Sequence, residues 1–127
     1  MSRRLNDLHF SFKPLAFELL ARCVEHRIAI IITDTLRTQA EHEINLANKV
    51  SWVQHSKHLD GLAIDVCLIF EYKLHGPNKL QWNVNDPEWQ ELGKIGESIG
   101  LIWGGRWKVK DMGHFEMPDS LIEAKRA

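Results

Sequence analysis

Ser56-Lys57-His58-Leu59-Asp60-Gly61-Leu62-Ala63-Ile64-Asp65 packs a histidine, two aspartates and a glycine against an apolar run. Over residues 62–68 the pattern alternates. Leu62, Ile64, Val66 and Leu68 point one way, and Ala63, Asp65 and Cys67 point the other. This predicts a strand with one face on a core and a carboxylate on its other face. His58 precedes the strand, and Gly61 permits a tight turn between the two. A neutral imidazole and a carboxylate are both good zinc ligands. An Asp on an apolar strand needs a compensating partner, because burying it unpaired is expensive. A metal is one such partner. The alternative is an Asp paired with Lys or Arg beside an exposed His.

The flanking sequence supplies the other elements. Upstream, Leu15, Leu19, Leu20, Cys23 and Val24 share one face of a helix predicted over 14–26, with Pro14 in its first turn. Residues 28–33, IAIIIT, read as a short buried strand. Thr38-Gln39-Ala40-Glu41 has capping-box spacing, so a second helix is expected from there to about residue 48. Downstream, a strand is expected over 70–74 and a turn at Gly76-Pro77-Asn78. Asp86-Pro87-Glu88 opens a helix with the stripe Trp89, Leu92, Ile95 and Ile99, stopped by Gly100. Gly104-Gly105 is a turn, and residues 114–117 form a last short strand. Helices and antiparallel strands mix without a βαβ rhythm, which predicts an α+β fold: a small antiparallel sheet flanked by helices.

Asp111-Met112-Gly113-His114-Phe115-Glu116 is the second polar cluster. His114 would be a third metal ligand, and Asp111 a carboxylate three residues away. Three protein ligands, an open position for water and a base make a catalytic zinc site. Glu116 reads as a supporting carboxylate rather than a ligand. His42, His55 and His75 read as surface residues, and His9 and His26 lack a metal-like context. Trp82, Trp103 and Trp107 are candidates to line a cleft, although aromatic residues usually belong to cores.

With 127 residues, 44% hydrophobic and 26% charged, the chain suits one globular domain, residues 1–127. Sixteen Lys and Arg balance seventeen Asp and Glu. This gives no support to nucleic acid or an anionic membrane as partner. A monomer is expected. Cys23 and Cys67 form no CxxC motif and read as two reduced buried thiols, with a disulfide as the alternative. The N-terminal stretch has no apolar run of signal-peptide length, and no segment has the roughly 20 apolar residues of a membrane span. Synthesis in the cytoplasm without self-directed export is the expectation.

Ser-x-His-x-x-Gly-x-Ala-x-Asp followed by Asp-x-x-His-Phe-Glu resembles the L-alanyl-D-glutamate endopeptidases, a metallopeptidase family related to D-alanyl-D-alanine carboxypeptidases and dipeptidases. The family shares its fold with the zinc domain of hedgehog proteins. SKHLDGLAIDV, and the run from Trp89 through WGGRWKVKDMGHFEM, look like the phage endolysin and prophage branch. Thr35-Leu36-Arg37-Thr38-Gln39 is similar to the family's arginine motif. The resemblance spans about residues 28–117 and implies zinc held by His58, Asp65 and His114, with Asp111 as catalytic base. It also implies that Arg37 binds substrate and stabilises the developing oxyanion, a fitting use of a fixed cation. A salt bridge capping the strand end is the other reading of Arg37. Ser56 is expected to hydrogen-bond near the site.

The implied activity is hydrolysis of the L-alanyl-D-glutamate bond in the peptidoglycan stem peptide, by a bacteriolytic phage or prophage enzyme that reaches the wall from the host cytoplasm with a holin. The alternatives are a D-alanyl-D-alanine carboxypeptidase or dipeptidase, and a non-catalytic zinc-binding module. The stretch 40–55 is shorter than the corresponding loop of many family members, so substrate preference can differ.

Overall fold

The computed structural model describes residues 2–36, 38, 40, 57–71 and 79–126, with residues 71 and 123–126 described by their backbone. The expected helix after Thr38 lies outside the described residues, as do Arg37, Ser56, His42, His55 and His75. The described elements are α1 (Lys13–Glu25), β1 (Ile30–Asp34), β2 (Ala63–Glu71), β3 (Lys79–Gln81), α2 (Pro87–Ser98), β4 (Ile102–Trp103), β5 (His114–Glu116) and α3 (Asp119–Arg126). The result is an α+β fold, as the mixture of periodicities predicts.

All strand pairings are antiparallel, and β2 is the centre of the sheet. Leu68 is opposite Ile30 on one side and Gln81 on the other. At the other end of β2, Asp65 is opposite Asp34 of β1 and His114 of β5. Directly opposed residues share a face of a sheet. Asp34, Asp65 and His114 therefore stand in one row on one face. Ile64, Phe115 and Trp103 form a row on the other.

Helix α2 packs on that apolar row. A Cβ added at Gly93 would lie 2.3 Å from the Trp103 ring, and one at Gly96 would lie 2.3 Å from the Phe115 ring. The two glycines, three residues apart on one helix face, let the helix axis approach the sheet closely. Asp86 caps this helix by accepting from the Glu88 N–H at 2.9 Å, with Pro87 at its first position. Trp89, Leu92 and Ile95 are buried as the stripe predicts, and Ile99 is partly buried against the core.

Several expectations need correction. On α1 the buried line is Ala16, Leu19 and Cys23, while Val24 is exposed. Ala16, outside the expected face, is fully buried, while Leu15 and Leu20 are only partly buried. Of the strand expected over 70–74, Phe70 and Glu71 continue β2, and the rest lies outside the described residues, as does the turn expected at Gly76-Pro77-Asn78. Both faces of β2 are largely covered: Ala63, Ile64, Cys67 and Leu68 are fully buried, and Asp65 is half-buried. The strands β3 and β4 and the helix α3 have no counterpart among the elements expected from sequence. Both cysteines are free and buried, and burial pushes each thiol up to about 11. Among the described residues no helix is long and apolar enough to cross a membrane.

Two glycines set the approach to the row of polar residues. Gly61 has φ of 70°, a left-handed conformation, and turns the chain from His58 into β2. Gly113 brings β5 against β2. Its carbonyl accepts from the Val66 N–H at 2.9 Å, and an added Cβ would lie 2.0 Å from the Val66 carbonyl oxygen. We therefore expect Gly113→Ala to force the strands apart and to destabilise the fold by about 1–3 kcal/mol or more, as overpacking does. Denaturant unfolding checks this, and an unchanged midpoint would show that β5 can shift freely.

Candidate metal centre

Three elements deliver three side chains to one point. His58 sits on a single 3₁₀ turn, Lys57–Asp60, that leads into β2. Asp65 stands on β2, and His114 opens β5 directly opposite it. The Asp65 carboxylate lies between the two rings. Its Oδ2 is 3.2 Å from His58 Nε2, and its Oδ1 is 2.9 Å from His114 Nδ1. The imidazole centroids are 5.2 Å apart and nearly edge to face. One donor atom from each of the three residues lies within 4.8 Å of the others, and among the described residues this is the one such group.

The outer nitrogen of each ring is also engaged. His58 Nδ1–H donates to the Thr35 carbonyl at 3.0 Å, which turns Nε2 toward Asp65. His114 Nε2–H donates to Glu116 Oε1 at 2.9 Å, which leaves Nδ1 facing Asp65. Both histidines are buried. Metal-ligating histidines are usually oriented in this way, by a carbonyl or carboxylate on the far nitrogen. Two imidazole nitrogens and one carboxylate, aimed at a common point with their outer atoms held, fit a single divalent ion with an open coordination position.

Burial alone would raise the Asp65 pKa, but hydrogen bonds from His114 and His58 outweigh it and hold the carboxyl well below its usual range. Burial would likewise lower the pKa of His114. Hydrogen bonds to Asp65 and Glu116, with the charges of Asp65 and Asp111, instead raise it to about 10.

Asp111 is exposed, three residues before His114, and its backbone carbonyl accepts from the His114 N–H at 3.2 Å across the turn at Met112-Gly113. Trp107 leans on the His114 ring, with centroids 5.0 Å apart, and walls one side of the site. The other two tryptophans do not line it. Trp103 is core, its indole N–H donating to the Met112 carbonyl at 2.7 Å, while Trp82 stacks on Trp89 beyond β3. His9 and His26 are exposed and lie outside the cluster. No pattern in the sequence points to the contacts that Lys57 and Thr35 make. Lys57 Nζ lies 2.7 Å from Glu116 Oε2, a contact across 59 positions that no local pattern reveals. Thr35 contributes through a main-chain carbonyl, which any residue type could offer.

Two buried imidazoles and a carboxylate on one face of an antiparallel sheet form a group that could hold one metal ion. Comparison with known proteins agrees. Residues 49–117 match the family model described as D-alanyl-D-alanine carboxypeptidase. The peptidoglycan L-alanyl-D-glutamate endopeptidase CwlK of Bacillus subtilis is 30% identical over 129 aligned positions, covering 88% of this chain and 74% of CwlK. The crystal structure of the L-Ala D-Glu endopeptidase ChiX of Serratia marcescens superposes with a TM-score of 0.69 at 21% identity, covering 97% of this chain and 87% of that one. The chain belongs to the D-alanyl-D-alanine metallopeptidase family, which includes the L-alanyl-D-glutamate endopeptidases.

In metal-free protein the Asp65–His114 pair has a defined pH signature. Because the folded pKa of His114 is raised from 6.5 to about 10, its contribution to stability is complete below 6.5 and is lost as pH rises toward 10. Chelator-treated protein should therefore lose stability between pH 6.5 and 10, and Asp65→Asn should flatten that slope. Denaturant unfolding across this range decides the matter. Equal slopes in the two proteins would mean that the pair does not hold the proton.

Proposed function

We propose that this chain is a zinc-dependent peptidoglycan peptidase that hydrolyses the L-alanyl-D-glutamate bond of the stem peptide. The observation that carries the proposal is the convergence of His58 Nε2, Asp65 and His114 Nδ1, with both outer histidine nitrogens held. Zinc suits this donor set and supplies Lewis acidity, acidifying water and polarising the peptide carbonyl. The residues of the chain do the rest. Asp111, three residues before His114 in the Asp-x-x-His motif, takes the proton of the attacking water and passes it to the leaving amine in this reading. Arg37 is assigned to the oxyanion and to substrate binding, and Ser56 to hydrogen bonding beside it. Trp107 excludes water on one side of the His114 ring.

The endopeptidase reading is supported by CwlK, whose name states that activity, and by the SKHLDGLAIDV and WGGRWKVKDMGHFEM segments. It extends to a bacteriolytic enzyme of phage or prophage type: a monomeric single domain, made in the host cytoplasm and reaching the wall with a holin. A second reading, D-alanyl-D-alanine carboxypeptidase, is favoured by the description of the matching family model. The two enzymes differ in the bond they cut. Hydrolysis after L-alanine detaches the whole stem peptide from the glycan, whereas removal of a terminal D-alanine leaves existing cross-links in place. A non-catalytic zinc module would need neither Asp111 nor Arg37.

Digestion of purified peptidoglycan should expose new D-glutamate amino termini, detectable by amino-group labelling and mass spectrometry. Release of free D-alanine without new glutamate termini would favour the carboxypeptidase. Asp111→Asn should keep its zinc and lose about 10²–10⁴-fold in turnover, because an amide cannot accept the proton. Near-normal turnover in that variant would move the base to another carboxylate.

A further inference from the structure

We propose that Lys57 is a positioning residue for the metal centre, acting through Glu116 on the ring of His114. The inference rests on the zinc reading above and concerns what holds its third ligand in place.

The contacts form a continuous strap. His114 Nε2–H donates to Glu116 Oε1 at 2.9 Å, and the other oxygen of the same carboxylate is 2.7 Å from Lys57 Nζ. The Lys57 ammonium also donates to the Met117 carbonyl at 2.7 Å and meets Asp119 at 3.1 Å. Lys57 is the chain neighbour of His58 and lies on the same 3₁₀ turn. The strap thus ties the turn that carries one ligand to the strand that carries another, on the side away from Asp65.

Burial separates the arms of this network. The side chains of Lys57 and Glu116 are 20% and 15% exposed, so their charges meet with little screening. Asp119 is 84% exposed, and surface pairs of that kind contribute little. The working arm is therefore Lys57–Glu116–His114. Glu116 has two tasks that need both oxygens: one accepts from His114 and fixes which nitrogen faces the metal, and the other is anchored. Without Lys57 the carboxylate keeps the first bond and loses its anchor. The ring can then turn, and Nδ1 leaves the direction that a shared ion requires. A lysine whose only task was to solubilise the surface would not be half-buried against a main-chain carbonyl and a carboxylate.

The test measures zinc affinity by chelator competition, the visible spectrum of the cobalt-substituted protein, and the unfolding midpoint of the metal-free form. Lys57→Met and Glu116→Ala should each weaken zinc about 10–100-fold, the usual cost of removing such a supporting contact, and should alter the cobalt spectrum. Lys57→Arg should recover most of the affinity, and Asp119→Asn should stay within about threefold of wild type. If Glu116→Ala does not fold, Glu116→Gln serves instead. It retains an acceptor for His114 but loses the charge that anchors to Lys57, so a smaller loss in the same direction is expected. Wild-type affinity and an unchanged cobalt spectrum in Lys57→Met would overturn the strap while leaving the zinc reading intact. Loss of affinity in Lys57→Met that Lys57→Arg fails to recover would also overturn it. Wild-type protein that binds no zinc would instead overturn the reading on which the strap rests.

Discussion

The Asp65 carboxylate is held between two imidazoles in the middle of a sheet whose other face is solid hydrocarbon. A carboxylate so placed is costly unless its charge is answered. Here the answer comes from both sides, from His58 on a preceding turn and from His114 across the strand. Much of the local structure serves this meeting. Gly61 turns the chain so that His58 can reach back, and Gly113 lets β5 lie close enough for His114 to stand opposite Asp65. The Thr35 carbonyl and Glu116 take the outward nitrogens, so neither ring can turn its inner nitrogen away without breaking a hydrogen bond.

The period of two along β2 joins the fold to the site. Alternation sends Ile64 into the core with Phe115 and Trp103, beneath a helix whose glycines admit those rings. The same alternation sends Asp65 and His114 to the opposite face. A one-residue slip of β5 against β2 would move His114 into the core and bring Phe115 to the site face. Packing of Phe115 against Gly96 thus fixes the register that brings His114 opposite Asp65. Stability and site geometry are two consequences of one pairing.

What could be read in advance follows from this. Asp65 and His58 were legible because a carboxylate in an apolar strand is anomalous, and His114 because a second polar cluster repeats the pattern downstream. Helix α2 was legible through its cap at Asp86 and its stripe. Other features carry no local signal. A two-residue strand such as β4 is too short to show any period, and its pairing with β5 is a tertiary fact. Helix α3 follows Pro118 and opens on Asp119, a recognisable start, but Leu121 and Ile122 are too few to show a helical period. Lys57 lies inside the Ser-x-His motif, yet nothing in that stretch shows what its side chain meets. Its partner Glu116 is on the strand that only folding brings beside it. Arg37 and Ser56 lie outside the described residues, so their part in the chemistry rests on the motif alone.

Whether His58, Asp65 and His114 together bind one metal ion is decided by X-ray absorption at the zinc edge of the loaded protein. The expected first shell is nitrogen and oxygen only, at about 2.0–2.2 Å, with the outer-shell scattering of two imidazole rings that becomes that of one ring in His114→Ala. A sulfur shell at about 2.3 Å, which would place the ion on Cys23 or Cys67, or a two-ring signal that survives the loss of His114, would contradict it.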